Sequence, residues 1–176
     1  MNKQRKKSLK FADKKMGFTC SCFDLLHAGH ILMLQDAKEQ CDYLVVGLQT
    51  DPTIDRPDTK NKPIQSLEER RIQLEAVKYI DEIIEYETED DLYKLLQEIK
   101  PDVRIIGADY KGKEFTGDDL DIPLYYNDRF HNWSTSGLRE KICVAEMEKA
   151  ISWKINNVDK DMELRKLQKL MTSKKL

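Results

Sequence analysis

Residues 21–30 read SCFDLLHAGH and set two of the chain's three histidines three positions apart, with a glycine between them. Ahead of them MGFTCSCF (16–23) is a short apolar run rich in β-forming residues. After them ILMLQDAKEQ (31–40) carries Ile31, Leu34 and Ala37 at helical spacing. The histidines therefore fall where a first strand ends and the next helix begins. A helix N-terminus presents unpaired N–H groups and a partial positive charge, so phosphate is well held there. Gly29 removes a Cβ that would block close approach of a ligand. His27 and His30 add donors that can follow charge developing on phosphoryl oxygens. Zinc is a poorer reading, because helical zinc histidines usually stand at i and i+4 with an acidic partner.

The same alternation continues outward. DYLVVGLQ (42–49) is a continuous apolar run of the kind found in buried parallel strands. A loop with Pro52, Pro57 and Pro63 leads to SLEERRIQLEAVKYI (66–80), a helix opened by a Ser66–Glu69 capping box. EIIEY (82–86) reads as a strand, DDLYKLLQEIK (90–100) as a helix stopped before Pro101, and VRIIGADY (103–110) as another buried strand. IPLYYN (122–127) supplies a last strand before STSGLREKI opens a helix at Ser134. Strand and helix in alternation predict an α/β fold, a Rossmann-like doubly wound parallel sheet. Right-handed crossovers line up the strands' C-terminal ends along one edge, where such folds bind ligands. The hydroxyls of Ser134, Thr135 and Ser136 at a helix start make a second anion site.

Three segments are expected. Residues 1–15, MNKQRKKSLKFADKK, are basic and lack apolar periodicity, which predicts a disordered leader. Residues 16–142 form the domain. Residues 143–176 form a helical extension, with Met147, Ile151, Ile155, Val158 and Met162 three and four apart, packing on the domain or on a second subunit. At 176 residues the chain is long enough to bury roughly 70% of its unfolded surface. Thirty basic and 32 acidic residues leave a net charge of −2, so charge predicts no nucleic-acid or membrane partner. No apolar run approaches the ~20 residues of a membrane span, and a cytoplasmic location is expected. Cys20, Cys22, Cys41 and Cys143 lack the paired spacing of a disulfide framework or a zinc site.

FDLLHAGH resembles the H-x-G-H signature of the cytidylyltransferase-like nucleotidyltransferases, a family related to class I aminoacyl-tRNA synthetases. The likeness runs from about Met16 to Ile142, with SLEERRIQLEAVKYIDEII, IIGADYKGKEF and the stretch from Arg129 to Ser136 following in family order. In texture the chain is most similar to the bacterial glycerol-3-phosphate cytidylyltransferases. GADYKGKEFTG (107–117) also resembles the ADP-heptose-forming adenylyltransferases.

The resemblance implies transfer of CMP from CTP to a small phosphorylated alcohol, glycerol 3-phosphate above all, giving CDP-glycerol and pyrophosphate. Adenylyl transfer from ATP to a sugar phosphate is the alternative, with a non-catalytic nucleotide-binding regulatory module behind it. Mg²⁺ would accompany the triphosphate. A homodimer is implied, with the helix from Ser66 as a candidate contact. His27 and His30 would contact the triphosphate at the α-phosphorus, and Arg129 would hold phosphates as a fixed positive charge. Lys60 or Lys62 would bridge nucleotide and acceptor. The backbone of Cys22 and Phe23 would lie against the nucleotide near Gly29, with Asp24 shaping the site beside them. Gly107 and Asp109 would border base and ribose, and Ser134, Thr135 and Ser136 would take the β- and γ-phosphates. Arg70 would stand near the subunit contact or the acceptor. The chain departs from its relatives at Ser21 and Cys22, where glycine and a small hydroxyl residue are usual, and STS replaces STT. His131 and Trp133 replace smaller residues near the nucleotide, which leaves base preference open.

Overall fold

The apolar runs pair side by side into one sheet. In the computed structural model, which describes residues 13–173, the strands are β1 (Met16–Ser21), β2 (Tyr43–Gln49), β3 (Glu82–Tyr86), β4 (Val103–Gly107) and β5 (Leu124–Asn127). Their order is β3-β2-β1-β4-β5, and every pairing is parallel. The connections carry helices α1 (Ala28–Glu39), α2 (Leu67–Glu75) and α3 (Glu89–Ile99). A 3₁₀ turn, Ala108–Tyr110, follows β4, and α4 (Thr135–Ser173) follows β5. The chain builds outward from β1 to β3, then returns to place β4 on the other side of β1. That reversal opens a crevice at the C-terminal ends of the strands, as the doubly wound reading predicts.

Two cores flank the sheet because neighbouring residues of a strand point to opposite faces. Leu44, Val46 and Leu48 of β2 pack with Leu34 and Ala37 of α1 and Leu74 of α2. Val45 of β2 and Phe18 of β1 pack with Leu92 and Leu96 of α3 on the other face. Burying these side chains contributes about 1.5–3 kcal/mol each, set against the cost of ordering the chain. Gly47 interrupts β2 for a steric reason. A Cβ there would stand 2.8 Å from Phe18 Cζ and 2.9 Å from Cys20 Cβ.

Caps set the helix starts. The Ser66–Glu69 capping box is present at α2, and Thr88 with Asp91 forms a second at α3. The helix expected to reach Ile80 stops at Glu75. The aromatic and β-branched residues Val77, Tyr79 and Ile80 are poor helix formers. They form turns instead, with Val77 N–H bonded to Leu74 O at 3.0 Å and Ile80 N–H to Val77 O at 3.2 Å. This brings Asp81 N–H to Leu44 O at 3.0 Å and starts β3 in register.

Of the expected leader, residues 1–12 lie outside the described residues. Its last residue is tied down, since the Lys15 carbonyl accepts from Asp42 N–H and Tyr43 N–H at 2.9 and 3.1 Å. The chain divides into two compact units, Met1–Thr135 and Ser136–Leu176. The second is essentially α4. That helix runs through 142–143, where the sequence reading placed a domain boundary, because no breaker stands there. Among the described residues no helix is long and apolar enough to cross a membrane.

Candidate functional site

The last residue of every strand lines one cavity of about 670 Å³: Ser21, Gln49, Tyr86, Gly107 and Asn127. The turn from β1 into α1 forms its most constrained wall. Phe23 and Leu25 take left-handed backbone conformations, φ 51° and 50°, which non-glycine residues adopt only when their surroundings hold them. Three groups do so. The Asp24 carboxylate accepts from the backbone N–H groups of Ile64 and Gln65, both at 3.0 Å. Gln65 Oε1 accepts from Leu25 N–H at 2.8 Å. The buried Phe23 ring sits in the core and meets His30 edge-on, centroids 5.3 Å apart.

His27 caps α1. Its Nδ1 accepts from Gly29 N–H at 3.0 Å, so the neutral ring carries its proton on Nε2, which faces the Thr135 hydroxyl at 3.5 Å. Thr135 in turn donates to the Asp24 carbonyl at 3.2 Å, joining the first residue of α4 to the β1–α1 turn. His30 stacks on His27, with centroids 3.9 Å apart and planes 20° apart. Burial, then the His27 and Arg129 charges, pull the His30 pKa down to about 3. The His27 pKa is lowered by burial, then by Arg129 and His131. Both rings are therefore neutral donors at pH 7, and Arg129 supplies the fixed charge beside them. His30 Nδ1 is buried without a hydrogen-bond partner.

Gly29, Cys22, Arg129, Gly107 and Asp109 all line the cavity. Of the two candidate lysines, Lys60 lines it, whereas Lys62 lends its charge to Asp51. Ser134 directly precedes α4, and Ser136 begins the second unit. Arg70, expected near the subunit contact or the acceptor, is not among the residues lining the cavity. It is 2% exposed, and its guanidinium donates to the carbonyls of Cys22, Gln49, Thr50 and Gln65 at 2.8, 2.7, 2.6 and 3.3 Å. With its donors turned onto backbone oxygens, it ties the ends of β1 and β2 to the start of α2.

His131, expected near the nucleotide, lines the cavity and reaches over α1, with its ring stacked on Trp133 at 4.9 Å. One feature escaped the sequence reading. On the α3 side of the sheet edge, Gln49, Arg56, Glu89, Arg104 and Thr116 form a polar cluster. Arg104 carried a legible signal, as a charged residue in the apolar strand VRIIG. Arg56 and Glu89 gave none, since each looks like an ordinary loop or helix-start residue.

A parallel sheet whose first strand runs into a paired-histidine turn at a helix start fits a nucleotidyltransferase domain. The chain belongs to the cytidylyltransferase-like family, whose model matches residues 18–120. It is 40% identical over 129 residues to the bifunctional protein HldE of Campylobacter concisus (strain 13826), covering 73% of this chain and 27% of that protein. It is 39% identical over 135 residues to the bifunctional protein HldE of Helicobacter pylori (strain HPAG1), covering 77% and 29%. The chain thus spans under a third of the length of these relatives. Among solved structures it is similar to the lipopolysaccharide core biosynthesis protein from Thermoplasma volcanium GSS1, at 28% identity and a TM-score of 0.53, covering 69% of this chain and 99% of that one.

Proposed function

We propose that this domain transfers an adenylyl group from ATP to a sugar phosphate and releases pyrophosphate. The observation that carries the reaction class is the stacked pair His27–His30 at the N-terminus of α1, with Arg129 beside it. The choice of substrates rests on likeness. The HldE relatives and the lipopolysaccharide core biosynthesis protein stand with the ADP-heptose-type reading of GADYKGKEFTG, ahead of CMP transfer to glycerol 3-phosphate.

In this reading an oxygen of the acceptor phosphate attacks the α-phosphorus in line, and the bond from that phosphorus to the bridging oxygen of pyrophosphate breaks. The attacking phosphate is already anionic at pH 7, so the site needs no strong base. Its task is positioning and charge stabilisation. His27 donates Nε2–H to a phosphoryl oxygen, the positive end of the α1 dipole favours the anion, and Arg129 and Lys60 balance charge. Among the described residues no group of three or more His, Cys, Asp or Glu side chains is placed to hold a metal ion. Mg²⁺ would accompany the triphosphate and supply neutralisation of its phosphate charge.

Pyrophosphate release tests the reading across ATP, CTP, GTP and UTP, with hexose 1-phosphates, heptose phosphates and glycerol 3-phosphate as acceptors. ATP with a sugar phosphate should give kcat/KM at least tenfold above any other pair. Faster turnover of CTP with glycerol 3-phosphate would restore the cytidylyl reading. Tight nucleotide binding without release from any pair would leave a binding module.

A further inference from the structure

We propose that the α3-facing wall of the cavity, built by Gln49, Arg56, Glu89, Arg104 and Thr116, is the acceptor subsite and binds the hydroxyls of a sugar phosphate. The inference rests on the adenylyl-transfer reading for the identity of the second substrate. Its geometry stands on its own.

These five residues come from β2, the loop after it, the first turn of α3, β4 and the loop before β5. All five line the cavity. Glu89 is the hub. Its Oε1 receives Arg56 Nη2 at 2.5 Å and Gln49 Nε2 at 3.5 Å, and its Oε2 receives the Thr116 hydroxyl. Arg56 Nη2 also donates to Gln49 Oε1 at 3.0 Å, and Arg104 Nη1 donates to the Thr116 carbonyl. Gln49 and Arg104 are 3% and 4% exposed. Residues of these types are seldom so buried unless their polar atoms are matched.

Here the matching is incomplete. The Nε atoms of Arg56 and Arg104 are both buried without a hydrogen-bond partner. A buried donor left unpaired costs about 1–3 kcal/mol, so such a group calls for an acceptor from elsewhere. Arg70 shows the contrast within the same molecule, because its Nε reaches the Gln65 carbonyl. One arginine is consumed by the fold, and two on the cavity wall keep donors in hand.

The chemistry of the wall fits hydroxyls better than a nucleobase or a bare phosphate. Two arginines and one glutamate leave the wall a single positive charge in excess, and the Glu89 carboxylate at its hub would repel a phosphate set against it. Carboxylate, carboxamide, hydroxyl and guanidinium together offer acceptors and donors side by side, and each sugar hydroxyl is both. His30 and Arg129 line the α1 side of the same cavity, with His27 stacked on His30. A sugar phosphate would lie between the two sides, with its phosphate towards the histidines.

Binding is measured by calorimetry on the full chain saturated with a non-hydrolysable ATP analogue, using mannose 1-phosphate, glucose 1-phosphate and glycerol 3-phosphate as probes. The wild type should bind at least one hexose phosphate tenfold more tightly than glycerol 3-phosphate. Glu89→Gln and Arg56→Lys should each weaken that hexose phosphate at least tenfold, with the affinity for the ATP analogue within twofold of wild type. Thr116→Val serves as the readout if either variant melts far below wild type. No preference for a hexose phosphate, unchanged hexose phosphate affinity in the variants, or a parallel loss of nucleotide affinity would each overturn the assignment. Failure of the adenylyl-transfer reading looks different: the wild type would bind both ligands and release no pyrophosphate.

Discussion

His131 holds its Cε1 2.7 Å from the point where a Cβ on Gly29 would stand, and His27 crowds the same point with Cε1 at 2.9 Å and Nδ1 at 3.0 Å. All three histidines of the chain thus gather around the first turn of α1. Gly29→Ala should leave stability nearly unchanged, since alanine gains about 1 kcal/mol of helix propensity to set against the crowding. The methyl group must displace an imidazole, however, and nucleotide affinity should fall at least tenfold by calorimetry. His131→Ala in the Gly29→Ala background should restore part of the loss, because one of the two crowding rings is then gone. Wild-type affinity in Gly29→Ala would show that the ligand does not use this space.

Arg70 poses the opposite case, a residue whose importance lies in the fold. Four backbone carbonyls accept from its buried guanidinium, and hydrogen bonds to a charged donor are worth about 1.5–3 kcal/mol each before coupling between them is counted. Arg70→Ala should lower stability by roughly 3–5 kcal/mol, a drop in Tm on the order of 10 °C. Arg70→Lys should rescue little, since an ammonium has no planar fork to span several carbonyls. Urea unfolding of both variants checks this. Native stability in Arg70→Ala would return the residue to the list of substrate contacts.

The contrast marks what the sequence could reveal. The sheet was legible because each strand is a run of apolar residues and each helix begins at a cap or a glycine-marked turn. His27 and His30 were legible because their spacing places both at one helix N-terminus, a local relationship. The backbone contacts of Arg70 were not legible, since a helix pattern says which face a side chain is on, and its partners Cys22 and Thr50, just past the ends of β1 and β2, lie 48 and 20 positions away in sequence. The Arg56–Glu89 pair stayed hidden for the same reason: 33 positions separate two residues that meet only once β2 and α3 are in place.

The loop lysines separate in the structure where the sequence left them equivalent. Lys60 lines the cavity, and the Lys62 charge bears on Asp51. Lys60→Ala should therefore reduce kcat at least tenfold at saturating substrates, and Lys62→Ala should change it less than threefold. Steady-state pyrophosphate release decides between them. The reverse ranking would mean that the loop rearranges when substrates bind.

The paired histidines also give the protein a pH signature. Burial, followed by the charges of His27 and Arg129, holds the His30 pKa down to about 3, against an ordinary value of 6.5. Between those two values an unfolded chain takes up a proton at His30 that the folded chain refuses. The unfolded state then binds more protons, so stability rises with pH across this window and falls as the solution is acidified. The limiting slope for one such group is about 1.4 kcal/mol per pH unit. His27, shifted in the same direction by its burial and by Arg129 and His131, adds to the trend. Replacing His30 with asparagine removes the titrating ring. His30→Asn should then lose less stability than wild type between pH 6.5 and pH 4, whatever it loses at pH 7. Guanidinium unfolding at half-unit steps measures both profiles, and parallel curves would mean that His30 is free to protonate inside the folded protein.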